Sequence, residues 1–256
     1  EAGLSQMEQH ICALIERLQQ TELQMLKSEH LAAVGQLAAG LAHELRNPLM
    51  PIKTLVQTAM ERGSERGLSG QSLAVIDREI HRMEGSIQNF LDFARPQLPA
   101  KAKLDLIDRI TQTLSLAQCR ADQQAGRIHC DLPQEPIAIE ADSGQLHQVL
   151  LNLIFNAIDA LPHGGDVYLR ARVRRRDGIE QAVIEVTDTG PGMPPDVLPR
   201  VFEPFVTTKE TGTGLGLSIS QKLIQAHGGT ITASNRPTGG ALFVVTLPAR
   251  GNIRVD

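Results

Sequence analysis

The chain has 256 residues, 41% hydrophobic and 21% charged, with a formal net charge of −4 from 25 basic and 29 acidic residues. That is enough chain for one large domain or two modest ones, and the charge offers no electrostatic footprint for nucleic acid or an anionic membrane. Aromatics make up 3%, with no Trp and one Tyr, so any core must be built from Leu, Ile, Val and Ala. Three cysteines (Cys12, Cys119, Cys130) lack CxxC spacing and read as reduced thiols of a cytoplasmic protein, excluding a disulfide framework or a zinc site. No apolar run reaches the ~18 residues of a membrane span, and there is no signal peptide. The chain begins with Glu1 rather than Met. The expectation is a fragment whose parent protein is either soluble or membrane-anchored upstream.

The first third is helical by pattern. Met7, Ile11, Leu14, Leu18 and Met25 follow an a/d seam, which predicts a short coiled-coil signalling helix over residues 1–30. Apolar periodicity continues through Leu31, Val34, Leu37, Leu41, Leu45 and Leu49, across Gly35 and Gly40. The stretch Arg62 to Gly70 is the first clear turn, and a second helix follows from about Gln71 to Ala94. Its face carries Leu73, Ile76, Ile80, Met83, Ile87, Phe90 and Leu91. Two amphipathic helices joined by a short loop form an antiparallel hairpin over 31–95. One hairpin leaves a stripe uncovered, so pairing two copies into a four-helix bundle predicts a homodimer.

Pro96 and Pro99 break the helix and mark a hinge linker over 96–103. Beyond it, residues 104–250 read as an α/β sandwich. Helices are predicted near Ile107–Gln124, Ser143–Leu161 and Leu215–Ala226. Strands are predicted near Arg127–Asp131, Ile137–Glu140, Val167–Val173, Ala182–Thr187, Thr230–Ser234 and Ala241–Thr246. Antiparallel hairpins and grouped helices argue against a Rossmann fold, so the class is α+β overall. The arginine run Arg170 to Arg176 interrupts one of these strands and reads as a solvated edge.

Two glycine-rich elements stand out. Asp188-Thr189-Gly190-Pro191-Gly192 follows a strand, and Gly212-Thr213-Gly214-Leu215-Gly216 opens a helix. Glycines at these spacings let backbone approach a ligand, and a helix N-terminus binds phosphate oxygens. The second element is neither a dinucleotide fingerprint nor a Walker A loop. Upstream, Asn152, Asn156 and Asp159 share one face of an otherwise apolar helix. Either that face is solvated, or its oxygens serve Mg²⁺ carrying a nucleotide.

An Asn-bearing helix, Asp-x-Gly-x-Gly, a lid and Gly-x-Gly-x-Gly, in this order, resemble the ATPase fold shared by gyrase, heat-shock chaperones, histidine kinases and mismatch-repair proteins. The resemblance implies ATP and Mg²⁺ as cofactors. It implies that Asn156 coordinates Mg²⁺, Asp188 hydrogen-bonds the adenine amino group, and Asn152 lies near the phosphates. Gly190 and Gly192 would shape the adenine pocket, and Gly212, Gly214 and Gly216 would close over the triphosphate. Leu41-Ala42-His43-Glu44-Leu45-Arg46-Asn47-Pro48-Leu49 resembles the phosphoacceptor box of sensor histidine kinases. Phe202-Glu203-Pro204-Phe205 resembles their phenylalanine box. Asp159 stands where many such kinases have Lys, which leans towards the nitrogen-regulation type and leaves its contact open. Lys209, after Thr207 and Thr208, either reaches a phosphate or is a solvated lid lysine. The lid, from Met193 to Thr213, has few core positions and is expected to be mobile without nucleotide.

The chemistry around His43 also follows from the residues. A neutral imidazole is available as a nucleophile near neutral pH. Glu44 can accept or orient the other ring proton, and Asn47 lies one turn away on the same face. Pro48 removes a backbone donor beside the acceptor. The expected protein is therefore an autokinase of His43 that passes the phosphoryl group to an aspartate of a response regulator receiver domain. By the resemblance it is also that regulator's phosphatase, with Glu44 and Asn47 serving both reactions. A non-catalytic signalling scaffold and a chaperone-like ATPase are the alternatives. The other histidines (His10, His30, His81, His129, His147, His163, His227) show no metal-site spacing.

Overall fold

A computed structural model describes residues 45–61, 68–94, 99–176, 178–209 and 214–249. His43, Glu44, Gly212 and the expected coiled coil lie outside the described residues. The chain divides into two units, Glu1–Pro96 and Gln97–Asp256.

In the first unit a helix runs over 45–61 (α1) and a second over Gly70–Ala94 (α2). Ser69 opens α2: its hydroxyl accepts from the Ser72 N–H at 3.1 Å, satisfying one of the unpaired donors of the first turn. On α1 the less exposed apolar positions are Leu45, Pro48, Ile52, Leu55 and Ala59, a three-four repeat. On α2 they include Val75, Ile76 and Met83. A second apolar row stays exposed: Leu49, Val56 and Met60 on α1, and Leu73, Ile80, Ile87 and Leu91 on α2. The face expected as one seam is thus split, with half of it uncovered in the single chain.

The second unit is a two-layer sandwich. Its strands are β1 (Ala102–Asp105), β2 (Gly126–Asp131), β3 (Ala138–Ala141), β4 (Gly165–Arg176), β5 (Ile179–Asp188), β6 (Thr230–Asn235) and β7 (Ala241–Pro248). Its helices are α3 (Leu106–Gln123), α4 (Ser143–Asp159) and α5 (Gly216–Ala226). Five strands form one sheet in the order β2-β4-β5-β7-β6, with β2–β4 parallel and the other pairs antiparallel. β1 and β3 form a separate antiparallel pair. β1 was missed in the sequence because Ala-Lys-Leu-Asp is too short and too polar to show alternation. It exists because β3 offers it a partner, and it takes up residues assigned to the linker.

Period-two alternation builds the core. Val167, Leu169 and Ala171 of β4, Ala182, Ile184 and Val186 of β5, and Phe243, Val245 and Leu247 of β7 are buried. Against them pack Leu146, Val149, Leu150, Leu153, Ile154, Ala157 and Ile158 of α4, the most apolar of the helices. α3 and α5 both contact α4, so α4 is the central helix of its layer. Arg170, Arg172 and Arg174 lie along the opposite, solvated face of β4, while Arg175 is exposed on the continuation of the inner row beyond the core. Arg170 pairs with Asp131 at 2.6 Å and Arg172 with Glu185, so part of its charge is neutralised by neighbouring strands.

Candidate nucleotide site

The inner row of β5 reads Ala182, Ile184, Val186, Asp188: the last position of an apolar face is a carboxylate, 2% exposed. Its Oδ1 accepts from the Gly190 N–H at 2.9 Å and from the Ala241 N–H at 3.1 Å. Oδ2 has no protein partner among the described residues. Burial pushes the Asp188 carboxyl above the usual carboxylate range, although the Ala241 and Gly190 N–H groups and nearby Arg236 pull the other way. A buried carboxylate with one oxygen fully held and the other unclaimed is a fixed acceptor for an amino group.

Glycine makes the surrounding wall. A Cβ on Gly190 would lie 2.8 Å from the Ala160 carbonyl oxygen, and Gly192 takes φ +77° beside the Asn235 side chain. Gly240, which sequence reading passed over, is closest of all: its Cβ would sit 1.9 Å from the Asp188 carbonyl oxygen. Asn235, equally unforeseen, pins the loop by accepting from Met193 N–H at 2.8 Å and donating to Met193 O at 2.7 Å. Its only sequence signal was the Asn-Arg-Pro-Thr-Gly-Gly turn that follows β6, which marks a bend but not a partner.

The polar face of α4 is occupied by protein groups. Asn152 Nδ2 donates to Ser220 Oγ of α5 at 2.9 Å, and Asn156 Nδ2 to Asn152 Oδ1 at 3.4 Å. Gly216, the first residue of α5, abuts Asn152; a Cβ there would come within 2.4 Å of its Oδ1. Lys209 Nζ donates to Asn156 Oδ1 at 2.8 Å and to Asp159 Oδ2 at 2.9 Å. Asp159 Oδ1 accepts from Arg120 of α3 at 2.7 Å, and Arg120 also stacks 4.6 Å over the Phe155 ring. So the open question about Asp159 has an answer in this structure: two cations, one from α3 and one from the lid.

Over its described residues, 193–209, the lid has several packed positions. Val201 is buried, and Met193 and Phe202 pack against the core. Phe205 takes φ +63°, and its N–H donates to Gly214 O at 3.0 Å, tying the middle of the lid to the residue that follows it. Gly214 has φ +65° and a Cβ there would overlap the Phe205 backbone at 2.5 Å. Asp188, Gly190 and Gly192 thus gather at one end of β5, while Asn152, Asn156, Asp159, Lys209 and Gly216 gather on α4 and its neighbours. Asn47 is exposed on α1, in the other unit.

These residues fit a magnesium nucleotide on chemical grounds. The Asn156 and Asp159 oxygens already hold a cation, the Lys209 ammonium, and hard oxygen donors are what Mg²⁺ prefers. The glycines beside Asp188 let the end of α4, the end of β6 and the β6–β7 turn close in on the end of β5, where any side chain would meet protein atoms.

Both units of the chain are similar to known proteins. Residues 33–99 match the His Kinase A (phospho-acceptor) domain, and residues 141–251 match the histidine kinase-, DNA gyrase B- and HSP90-like ATPase. Sensor histidine kinase ZraS of Salmonella typhimurium is 37% identical over 224 residues, covering 88% of this chain and 48% of that protein. The catalytic domain of histidine kinase ThkA is 31% identical, with a TM-score of 0.53 over 58% of this chain and 95% of that domain. ThkA in complex with the response regulator protein TrrA gives a TM-score of 0.74 at 26% identity, over 88% of this chain and 64% of that one. The chain spans about a third to a half of the length of the curated relatives it matches. Among the described residues no helix is long and apolar enough to cross a membrane. With a phosphoacceptor-type helical unit followed by an ATPase-type sandwich, the chain belongs to the histidine kinases of two-component signalling.

Proposed function

We propose that the chain binds Mg-ATP on its α/β unit, transfers the γ-phosphoryl group to His43, and passes it to an aspartate of a response regulator. The observation that carries this reading is the α4 face. Asn156 and Asp159 hold a cation there, with Asn156 one turn from Asn152, while Asp188 keeps an unclaimed oxygen beside closely packed glycines. Asp188 receives the adenine amino group, and Gly190 and Gly192 shape the pocket beside it. Asn152 and Asn156 face the phosphates, with Asn156 as the Mg²⁺ ligand and Gly212, Gly214 and Gly216 closing behind them. Phe202 and Phe205 shape the lid, and Lys209 leaves Asn156 and Asp159 when the nucleotide brings its own cation. Bound Mg²⁺ would supply charge neutralisation on the phosphates.

At the acceptor, an imidazole nitrogen of His43 attacks the γ-phosphorus in line. The bond to the bridging oxygen breaks, ADP departs, and Glu44 takes or orients the proton on the other ring nitrogen. The second transfer moves the same group to a receiver-domain aspartate. Asn47, exposed one turn after His43, would orient a water that attacks the regulator's phospho-aspartate and releases inorganic phosphate, the phosphatase reaction. The exposed rows Leu49–Val56–Met60 and Leu73–Ile80–Ile87–Leu91 support a homodimer, because a second copy would bury them in a four-helix bundle. The segment between the two units would act as the hinge, and the work would be done on the cytoplasmic side of any membrane anchor.

The test is incubation with Mg²⁺ and γ-labelled ATP beside His43→Ala and Asp188→Asn. Acid-labile label on the unaltered chain only is the expected result. Label persisting on His43→Ala would move the acceptor elsewhere. Nucleotide binding without label would favour a scaffold, and steady phosphate release without label a hydrolase.

A further inference from the structure

Helix α4 carries the polar face of the site, and something must set its position along α5. One tie is inside the site, from Asn152 to Ser220. The other lies beyond it, at the far end of both helices, where Asp142 precedes α4 and His227 ends α5.

His227 is 6% exposed. Its Nδ1 lies 2.7 Å from the Leu223 carbonyl oxygen, which can only accept. Its Nε2 lies 2.8 Å from the Asp142 backbone nitrogen, which can only donate. The two contacts together require a neutral ring with the proton on Nδ1 and a bare Nε2. The ring therefore joins the last turn of α5 to the residue that starts α4, 85 positions away in sequence.

Asp142 is itself the N-cap of α4. Its Oδ1 accepts from the N–H groups of Gly144 at 3.0 Å and Gln145 at 3.1 Å. Its Oδ2 accepts at 2.9 Å from the N–H of Ala100, in the segment that leads into this unit. The Gln145 N–H above all, with those of Ala100 and Gly144, holds the Asp142 carboxyl below the usual range against the opposing effect of burial. Directly after the ring, Gly228 takes φ +74°, and a Cβ on Gly229 would lie 2.2 Å from the Thr246 carbonyl oxygen. That turn leaves His227 little freedom to shift along the sheet. Three pieces of backbone thus converge on one buried imidazole and one carboxylate: the incoming chain, the start of α4 and the end of α5.

We propose that Asp142 and His227 are positioning residues for the nucleotide site, fixing the register of α4 against α5 so that Asn152 meets Gly216 and Ser220 and Asn156 stands beside them toward the phosphate position. The inference rests on the nucleotide reading above. Neither residue touches the nucleotide; both act through the α4–α5 register.

Two measurements on the whole chain test it. Long-range ¹H–¹⁵N NMR of the histidine rings at pH 7 should show His227 as the neutral Nδ1–H tautomer, whether or not nucleotide is present. A neutral Nε2–H form or a charged ring would overturn the proposal on the unaltered chain. Calorimetric titration with the non-hydrolysable analogue AMPPNP and Mg²⁺ gives the second readout. His227→Phe keeps a ring but neither hydrogen bond, and should weaken binding about tenfold. His227→Gln, with an acceptor and a donor on one amide, should recover part of that loss. Phe243→Leu, a core change in β7, should lower the melting temperature while leaving the affinity unchanged, separating positioning from stability. Equal affinity of His227→Phe and the unaltered chain overturns the positioning role alone. Failure of the unaltered chain to bind overturns the nucleotide reading, and the positioning role falls with it.

Discussion

Replacing Asp188 with Asn separates reading of the base from support of the fold. The variant side chain is the same size, and its oxygen can keep both bonds that Oδ1 now accepts, from Gly190 and Ala241. What changes is the other terminus, where an unclaimed carboxylate oxygen becomes an NH₂ group. Against the adenine amino group this replaces a hydrogen bond to a charged acceptor with two donors facing each other. A charge-assisted bond contributes about 2 kcal/mol and an unsatisfied donor costs about 1 kcal/mol, so binding should weaken by about 3 kcal/mol. That is about a hundredfold in Kd, measurable by titration calorimetry with AMPPNP and Mg²⁺. A guanine nucleotide, with a carbonyl at the same ring position, should lose far less. The fold should not suffer. A carboxyl whose pKa is raised on folding contributes stability that is present below its unfolded pKa and lost as pH rises through the folded value. At pH 7 Asp188 therefore carries a burial penalty that Asn lacks. The variant should melt at the same temperature or higher, and its advantage should shrink as pH falls through the raised Asp188 pKa. Unchanged affinity for the adenine analogue would refute the assignment of Asp188 to the base. Lost affinity together with a lowered melting temperature at pH 7 would show that the carboxylate holds the β5 end rather than reading the base.

Three further outcomes follow from the geometry. Gly216→Ala improves helix propensity by about 1 kcal/mol, yet its methyl group would enter the space of Asn152 Oδ1, 2.4 Å away. Nucleotide affinity should fall by about tenfold or more with little change in thermal stability, and an unchanged affinity would show that Asn152 can move aside freely. Lys209→Met removes a partly exposed ion pair worth about 1 kcal/mol, so the nucleotide-free lid should be cleaved about fivefold faster in limited proteolysis at a fixed protease concentration. The Asp142 carboxyl is held low, chiefly by the Gln145 N–H, so the stability it contributes is present above its unfolded pKa and lost as pH falls through the folded value. Melting curves should therefore show a shallower acid loss for Asp142→Asn than for the unaltered chain below about pH 4.

Local pattern made much of this protein legible in advance. The apolar spacing of α4 placed it at Ser143, and Asp142 at its start is the short acceptor that helix entry favours. Alternation along β5 and β7 placed two neighbouring strands of the sheet, and the paired glycine motifs with the Asn-bearing helix pointed to the residues now proposed to hold a nucleotide. Such features depend on neighbours a few residues apart, where periodicity and backbone conformation decide the outcome. The family followed from the same short motifs, since their residue types and order are themselves the signal.

What only the tertiary structure decided are contacts between residues far apart in the chain. β1 exists because β3 lies beside it, and nothing in Ala102–Asp105 alone announces a strand. Asp159 meets Arg120 at 39 positions' distance and Lys209 at 50, so no local rule could name either partner. Asn235 and Gly240 come to lie beside Asp188 and its loop because the β6–β7 turn returns to the end of β5. His227, set aside in the sequence for want of metal-site spacing, acquires its place only when the end of α5 meets the start of α4. Amino-acid order specifies which groups are present and how each short segment bends. Which donor meets which acceptor across the core is settled by packing, because a buried polar group must find its partner wherever the fold brings one.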